Sequence, residues 1–281
     1  MLNIQQIKNI LKENNIAVLK KFGQNFLISE NVLNKIIKTA NISPQDTILE
    51  IGPGLGVLTF ELAKRANKVI AIEKDRKFFE IFKKSLETRG IKNVSLVNGD
   101  ALKVQRSTLN VQRYKLVANL PYNIATAVIM KFLQAENPPQ QIVAMIQKEV
   151  AQRITATPPQ MNKLAIFCQF YSTPKIIDIV PPTAFYPKPK VDSAILEFKE
   201  PSALYSGHSV PSRALFEQIV DIGFSHPRKT LLNNFAEPWA PQFSKEKISQ
   251  WLLENNIQPN QRPETLTIND WLKLTKTFKS C

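Results

Sequence analysis

The residues Asn119-Leu120-Pro121-Tyr122 follow the apolar run 115–118, where a buried strand is expected to end. If the Asn119 side-chain oxygen and the backbone carbonyl of Leu120 or Pro121 each accept one N–H, they orient the lone pair of an amine towards an electrophile. Such a clamp suits the exocyclic amine of adenine, whose lone pair is delocalised. Proline fixes the backbone and Tyr122 can stack on a base. The alternative is an ordinary turn, with Asn119 as a cap and Tyr122 in the core.

A glycine-rich turn follows the first predicted strand of the same sheet. Gly52, Gly54 and Gly56 are spaced G-x-G-x-G, and glycine lets a chain turn sharply and a ligand approach the backbone. A dinucleotide-binding fingerprint would have its third glycine at Val57. The spacing therefore predicts a cofactor site with Gly52 and Gly54 in contact, and it disfavours a nicotinamide cofactor.

Two acids end the next two predicted strands. Glu73 stands 21 residues after Gly52, where a carboxylate can accept both hydroxyls of a ribose, and Asp100 follows Gly99 at the end of the third strand. One acid for a ribose and one for an adenine amine indicate an adenosine ligand. Because the turn lacks the third glycine that a pyrophosphate requires, S-adenosylmethionine fits best. Glu73 as a solvated acid beside Lys74 is the alternative.

These residues require a sheet whose strand ends meet at one edge. The chain alternates apolar strands with helices, which is typical of a parallel sheet covered by helices on both faces. Strands are predicted at 47–51, 68–72, 94–97, 115–118, 142–146, 175–180 and 194–199, and helices at 29–40, 55–66, 77–87, 125–133, 148–154 and 164–170. We expect antiparallel pairing at one edge.

The last part of the chain has a different pattern. Residues 200–211 are rich in Ser, Pro and Gly and indicate a linker. Helices are predicted beyond it at 215–222, 228–235, 245–255 and 269–278, the last with Thr267 and Asp270 at capping-box spacing. The predicted domains are 1–203, an α/β domain with a basic N-terminal segment, and 204–281, a small all-α domain.

The formal net charge of +14 is unevenly distributed, since residues 1–202 carry +12 of it. A polyanionic partner is expected, nucleic acid rather than a membrane, because each neutralised phosphate releases counterions. General solubility is the alternative. Two cysteines and two histidines predict neither a disulfide framework nor a metal site. With no long apolar run and no signal peptide, we expect a cytoplasmic protein without a membrane partner, and a monomer.

The motifs together resemble the ribosomal RNA adenine dimethyltransferase family, in particular the branch that modifies the small subunit. The resemblance covers nearly the whole chain. It rests on the segments KKFGQNFL (20–27), EIGPGLGVLT (50–59), NLPYNI (119–124), QKEVAQR (147–153), FYPKPKVDS (185–193) and RKTLLNN (228–234), with Glu73 and Gly99-Asp100. The segment 158–163 departs from the family pattern, which usually has glycine and tyrosine there.

The resemblance implies a Rossmann-like class I methyltransferase fold for domain 1–203, with RNA or ribosome binding by domain 204–281, and it implies a function. The substrate would be two adjacent adenines in the 3′-terminal hairpin of 16S rRNA, each methylated twice at N6 in the immature small subunit. The cofactor S-adenosylmethionine would contact Asn25, Leu27, Gly52, Glu73, Asp100 and Asn119. The target adenine would lie at Asn119 to Tyr122, with Phe185 on its opposite face.

Several cations are candidates for contacts with RNA phosphates, with a solvated surface as the alternative. They are Lys20, Lys21, Arg153, Lys188, Lys190, Arg228 and Lys229, of which the last two are expected to open a helix.

Three competing functions are considered. A large-subunit methyltransferase of the antibiotic-resistance type is disfavoured by FYPKPKVDS and RKTLLNN. A non-catalytic RNA-binding or transcription-factor relative would not need Glu73, Asp100 and the residues 119–122. A nicotinamide oxidoreductase is disfavoured by Val57 and by the lack of a placed histidine.

Overall fold

The structure, a computed structural model, describes residues 1–16, 25–104, 111, 113–201, 212–239 and 242–278. In this part of the chain no helix is both long enough and apolar enough to cross a membrane. The residues form two compact units, 1–151 with 174–200 and 152–173 with 201–281.

The first unit is built on a seven-stranded sheet. In chain order its strands are β2 (Thr47–Ile51), β3 (Lys68–Glu73), β4 (Val94–Asn98), β5 (Lys115–Asn119), β6 (Gln141–Gln147), β7 (Ser172–Val180) and β9 (Ser193–Pro201). A separate two-stranded sheet pairs β1 (Phe26–Leu27) with β8 (Phe185–Tyr186) in antiparallel orientation.

The strand order in the large sheet is β4-β3-β2-β5-β6-β9-β7. The first five strands are parallel, and β9 is antiparallel to β6. The predicted parallel sheet with an antiparallel strand near one edge is therefore confirmed. The chain runs outwards from β2 to β4 and then crosses back to β5, so the strand order reverses between β2 and β5. Open α/β sheets bind their ligands at such a switch point.

Helices of the first unit are α1 (Ile4–Glu13), α2 (Glu30–Ala40), α3 (Val57–Ala63), α4 (Arg76–Thr88), α5 (Ala125–Leu133) and α6 (Lys148–Ile154), which continues into the second unit. Consecutive residues of the central strands are buried, for example Leu116, Val117 and Ala118. Both faces of the sheet are therefore covered, as in other parallel sheets. Ser29 precedes α2 as predicted, but its side chain makes no capping hydrogen bond.

The first helix was not predicted from the sequence. Asn3 caps α1 through a reciprocal capping box with Gln6, and Ile7 and Leu11 bury one face against Phe26 and Phe78. The capping pattern is visible in the sequence, although it uses Asn and Gln in place of the commoner Ser or Thr and Glu.

The second unit is helical, with α7 (Lys163–Tyr171), α8 (Arg213–Gly223), α9 (Leu231–Trp239), α10 (Lys245–Glu254) and α11 (Ile268–Thr277). The rings of Phe170 in α7 and Phe216 in α8 stack 4.2 Å apart, and the Tyr171 hydroxyl donates to Glu217. These contacts explain why residues 152–173 pack with the C-terminal helices, whereas the sequence assigned them to the first domain. The two continuous domains 1–203 and 204–281 remain a prediction.

The second unit differs from the sequence prediction at the start of α9 and agrees with it at the start of α11. The helix expected at 228–235 begins only at Leu231, because the Lys229 amide closes a turn onto His226 and the Leu231 amide donates to Gln261. Arg228 and Lys229 therefore precede the helix. The capping box of Thr267 and Asp270 is present at the start of α11.

Candidate active site

A cavity of about 540 Å³ lies at the carboxyl ends of β2, β3 and β5. This volume is within the usual range for small-molecule sites. Its walls combine the glycine turn, the end of β3, the two-residue strand β1 and the segment after β5. The lining residues are Asn25 to Leu27, Glu50, Gly52 to Leu55, Val57, Leu58, Glu73 to Arg76, Phe78 and Asn119 to Ile124.

The glycine turn and the segment after β5 share a wall of this cavity. Gly52 has φ +69°, and a Cβ placed on it would lie 3.3 Å from Cγ of Pro121. Gly54 has φ +56°. Both conformations are ones that side chains rarely adopt. The turn therefore brings bare backbone to the cavity directly beside the residues predicted to hold an amine.

Glu73 is held by the backbone on both sides of its carboxyl group. Its Oε2 accepts from the Gly54 amide at 3.1 Å, and its Oε1 accepts from the Asp75 amide at 2.9 Å. Each oxygen retains acceptor capacity for a ligand hydroxyl. Burial raises the pKa of Glu73 above its ordinary value, against the lowering effect of these amides.

Asp100 lies beyond the end of β4 and is outside the residues that line the cavity. Its Oδ2 pairs with the Lys74 ammonium at 2.9 Å, and its Oδ1 accepts from the Leu102 amide. The hydrogen bond from Lys74 holds the pKa of Asp100 below its ordinary value. Lys74 itself lines the cavity, so the structure links Asp100 to the site through this ion pair. A direct contact with adenine remains a prediction.

The loop that carries Asp100 is fixed by a lysine that the sequence analysis did not single out. The Lys131 ammonium, on α5, donates to the carbonyls of Leu102 and Val104, each at 2.8 Å. Burial lowers the pKa of Lys131. No local signal in the sequence relates residue 131 to residues 102 and 104.

Glu50 is a second acid in the wall of the cavity, and sequence reasoning gave it no role of its own. Its side chain is 2% exposed, and its Oε2 has no hydrogen-bond partner among the described residues. Burial raises the pKa of Glu50 to about 8, and the charge of Glu73 acts in the same direction. Glu50 is therefore mostly protonated at neutral pH.

Asn119 has its amide oriented by Asn25. Its Nδ2 donates to the Asn25 carbonyl at 3.2 Å, which leaves Oδ1 as the atom that can accept a proton from a bound amine. The Pro121 carbonyl already accepts from the Ile124 amide at 3.1 Å. Of the two backbone carbonyls considered from the sequence, that of Leu120 is therefore the better second acceptor.

Tyr122 lines the cavity, and its ring is anchored at the far end. The Tyr122 hydroxyl lies 2.6 Å from the hydroxyl of Ser193, which is fully buried. Burial raises the pKa of the phenol, so it stays neutral in the physiological range. The sequence motif FYPKPKVDS includes Ser193, but no local signal connects it with residue 122.

Phe185 is not brought to the cavity. Its side chain is 3% exposed and packs in the core with Leu27, Leu33 and Ile36, and its backbone pairs with Leu27 across the β1–β8 sheet. Of the predicted site residues, Asn25, Leu27, Gly52, Gly54, Glu73 and Asn119 to Tyr122 line one cavity, whereas Asp100 and Phe185 do not. The predicted stacking role of Phe185 therefore stays a prediction.

The candidate RNA contacts lie on several different elements of the chain. Lys188 and Lys190 are exposed in the loop before β9, Arg153 is exposed on α6, and Arg228 is exposed before α9. Lys229 is engaged with Glu237 at 2.7 Å, which lowers its availability to a phosphate. Lys20 and Lys21 lie outside the described residues.

The cavity has features that suit a nucleoside-based methyl donor. It offers backbone without side chains at Gly52 and Gly54, a buried carboxyl group at Glu73, and apolar contact from Phe26, Leu55 and Phe78. These features fit an adenosine-sized ligand.

Comparisons with known proteins agree with this arrangement. A model of the family "Ribosomal RNA adenine dimethylase" matches residues 16–280. The chain is 42% identical to the ribosomal RNA small subunit methyltransferase A of Dehalococcoides mccartyi strain BAV1, over 96% of this chain and 91% of that protein. It is 39% identical to the protein of the same name from Alkaliphilus metalliredigens, over 96% and 94%.

Solved structures show the same fold. The crystal structure of a dimethyladenosine transferase from Plasmodium falciparum is similar with a TM-score of 0.74 at 28% identity, over 89% of this chain and 95% of that one. The 23S rRNA methyltransferase ErmE is similar with a TM-score of 0.72 at 24% identity, over 90% and 98%, and supports the fold alone. The extent of the family match and the identity to the bacterial relatives show that this chain belongs to the ribosomal RNA adenine dimethylase family.

Proposed function

We propose that this chain transfers methyl groups from S-adenosylmethionine to N6 of two adjacent adenines in the 3′-terminal hairpin of 16S rRNA. Each adenine receives two methyl groups, and the substrate is the immature small ribosomal subunit. The observation that carries the proposal is the shared wall of the cavity, where the bare backbone at Gly52 meets Pro121. A donor held by the glycine turn lies there beside the group that holds the amine.

The residues on the donor side of the cavity bind and orient the methyl donor. S-adenosylmethionine supplies an electrophilic methyl group when it is bound. Glu73 is positioned by two backbone amides to accept the ribose hydroxyls, and Gly52 and Gly54 allow close approach to the backbone. Phe26 and Phe78 line the same cavity with tilted rings 5.6 Å apart and give it an apolar wall.

The residues of the acceptor side orient the amine. Asn119 Oδ1 accepts one N–H of the adenine amine, since Asn119 Nδ2 donates to Asn25. The Leu120 carbonyl accepts the other N–H and is favoured over the Pro121 carbonyl, which already accepts one hydrogen bond from Ile124. The nitrogen lone pair is thereby drawn out of the ring π-system and towards the methyl group. The two acceptors also stabilise the positive charge that develops on nitrogen. Each transfer breaks the methyl–sulfur bond of the donor, releases S-adenosylhomocysteine and gives one amine proton to water. The second transfer therefore has one N–H left, which one of the two acceptors holds.

Orientation of two reactants supplies much of the rate enhancement for this chemistry. Well-oriented reactions gain up to about 7–11 kcal/mol relative to the same reaction between free reactants. The Tyr122 ring offers a stacking surface worth about 1–3 kcal/mol per base. The site therefore needs no strong general base.

The two candidate substrates, small-subunit and large-subunit RNA, are separated by one experiment. Immature small subunits and large-subunit RNA are incubated separately with the donor carrying a labelled methyl group, and the RNA products are analysed by mass spectrometry. We expect four methyl groups on two adjacent adenines of the small-subunit RNA. Transfer to large-subunit RNA alone, or no transfer to either RNA, would overturn the proposal.

A further inference from the structure

We propose that Ser193 is a positioning residue which, by hydrogen bonding to the Tyr122 hydroxyl, fixes the ring of Tyr122 as a rigid stacking platform for the target base. The proposal rests on the proposed function, because it assigns the surface that receives the adenine. It concerns two residues 71 positions apart in the sequence, and it makes the antiparallel strand β9 part of the acceptor side.

The hydrogen bond holds the ring at its outer end. The oxygen atoms of Tyr122 and Ser193 are 2.6 Å apart. The backbone of Tyr122 lies in a turn that is closed by a hydrogen bond from the Ile124 amide to the Pro121 carbonyl. Helix α5 begins directly after this turn, at Ala125. A tyrosine held at both ends presents one face to the cavity in a single orientation.

Ser193 is itself firmly placed. It is the first residue of β9 and pairs with Gln147 at the end of β6, and its side chain has no exposed surface. Asp192, the residue before Ser193, is held by Lys148 through two contacts. The Lys148 amide donates to the Asp192 carbonyl at 3.0 Å, and the Lys148 ammonium pairs with the Asp192 carboxylate at 3.2 Å. The oxygen that meets Tyr122 therefore belongs to the rigid end of the sheet.

A rigid platform serves stacking better than a mobile one. An unanchored tyrosine at the surface has several side-chain rotamers, and a base that stacks on it must immobilise them at a cost in entropy. The Ser193 bond immobilises the ring before RNA arrives. Because Tyr122 adjoins the acceptors at Asn119 and Leu120 in sequence, a fixed ring also fixes the angle at which the amine reaches them.

The test compares two variants that remove the same hydrogen bond from opposite ends, Ser193→Ala and Tyr122→Phe, with the double variant. Tyr122→Phe keeps the ring. We expect each single variant to lower kcat for methyl transfer to small-subunit RNA about tenfold, the usual order for one hydrogen bond that positions a reactant. The double variant should be no worse than either single variant, because both lose the same interaction. Affinity for S-adenosylhomocysteine should change less than twofold.

Loss of fold stability is separated from loss of positioning by a matched control. Ser172→Ala removes another buried serine, at the first residue of β7 and outside the cavity. It should leave kcat unchanged, whatever its effect on thermal stability. Unchanged kcat and KM in Ser193→Ala, or fully multiplicative losses in the double variant, would overturn the proposal.

A structural readout keeps this proposal separate from the proposed function. If the wild-type chain transfers no methyl group to any RNA, the proposed function is wrong, and the kinetic comparison of the variants cannot be made. The hydrogen-bond claim is then decided by crystal structures of Ser193→Ala and the wild type. A Tyr122 ring with more than one rotamer in the variant supports it, and a ring in the same single orientation in both overturns it.

Discussion

The Gly54 amide donates to the Glu73 carboxylate at 3.1 Å, and this contact joins the turn after β2 to the end of β3. The same carboxyl group accepts from the Asp75 amide at 2.9 Å. Two neighbouring strand ends thus hold one acid in a defined orientation, although the residues are 19 positions apart. The arrangement fixes the carboxyl group in one orientation and ties the glycine turn to the end of β3.

Replacing Glu73 by Gln tests the ribose-binding role. One carboxyl oxygen becomes an amide nitrogen, which must face a backbone N–H and cannot accept a hydroxyl proton. Hydrogen bonds to charged groups are worth about 1.5–3 kcal/mol, so we expect S-adenosylhomocysteine to bind about 10- to 150-fold more weakly in an equilibrium titration. Glu61→Gln, on the surface beside Lys64 and Arg65, is the control. Equal affinities in the Glu73 variant and the wild type would contradict the role.

Replacing Gly56 by Ala tests the packing behind the glycine turn. Gly56 precedes α3 with φ +78°, and a Cβ there would lie 2.1 Å from the Phe82 ring. Gly90 also has a positive φ, +63°, but a Cβ there meets nothing within 4 Å. Gly90→Ala should therefore cost about 1–2 kcal/mol from backbone strain alone. Gly56→Ala should cost about 1–3 kcal/mol more from overpacking.

Urea denaturation of the two glycine variants measures this difference. Since both carry the same backbone penalty, the gap between them reports the contact of Gly56 with Phe82. Equal stability of the two variants would contradict the close contact between Gly56 and Phe82 of α4.

The pH dependence of stability tests the burial of Glu50. Its folded-state pKa is raised to about 8 from the ordinary 4.5, so the folded chain binds a proton more tightly than the unfolded chain. The stabilisation is complete below about pH 4.5 and is lost as the pH rises towards 8, by up to about 1.4 kcal/mol per pH unit.

Glu50→Gln removes this titration while keeping the side-chain volume. We expect its stability relative to the wild type to increase between about pH 5 and pH 8 and to level off above. Free energies of unfolding from urea denaturation at several pH values, without ligand, measure this trend. A constant difference across the range would mean that Glu50 is not desolvated.

Much of this fold could be predicted from local patterns. The bounds of β2, α5 and α6 agree with the predictions at 47–51, 125–133 and 148–154, and the other predicted strands and helices differ mainly at their ends. Periodicity, strand-end glycines and acids, and the turn at Pro121 are local properties, so they can be read directly from the sequence.

What the sequence left undetermined is set by contacts between distant residues. The start of α9 is shifted by the Leu231 amide, which donates to Gln261. The β1–β8 pair joins Leu27 to Phe185 and buries that ring. The Lys74–Asp100 ion pair and the partner of Tyr122 likewise depend on how loops meet at the sheet edge, for which local patterns carry no information.

The central claim is that Asn119 orients the target amine beside the donor, and the measurement that tests it most directly is single-turnover methyl transfer by Asn119→Ala. The substrate is small-subunit RNA in immature subunits, with S-adenosylhomocysteine affinity titrated in parallel. Loss of an acceptor aimed at developing charge costs about 10²–10³ in rate. We predict a fall of this size in the transfer rate, with donor affinity lowered less than tenfold. An unchanged transfer rate would contradict the account.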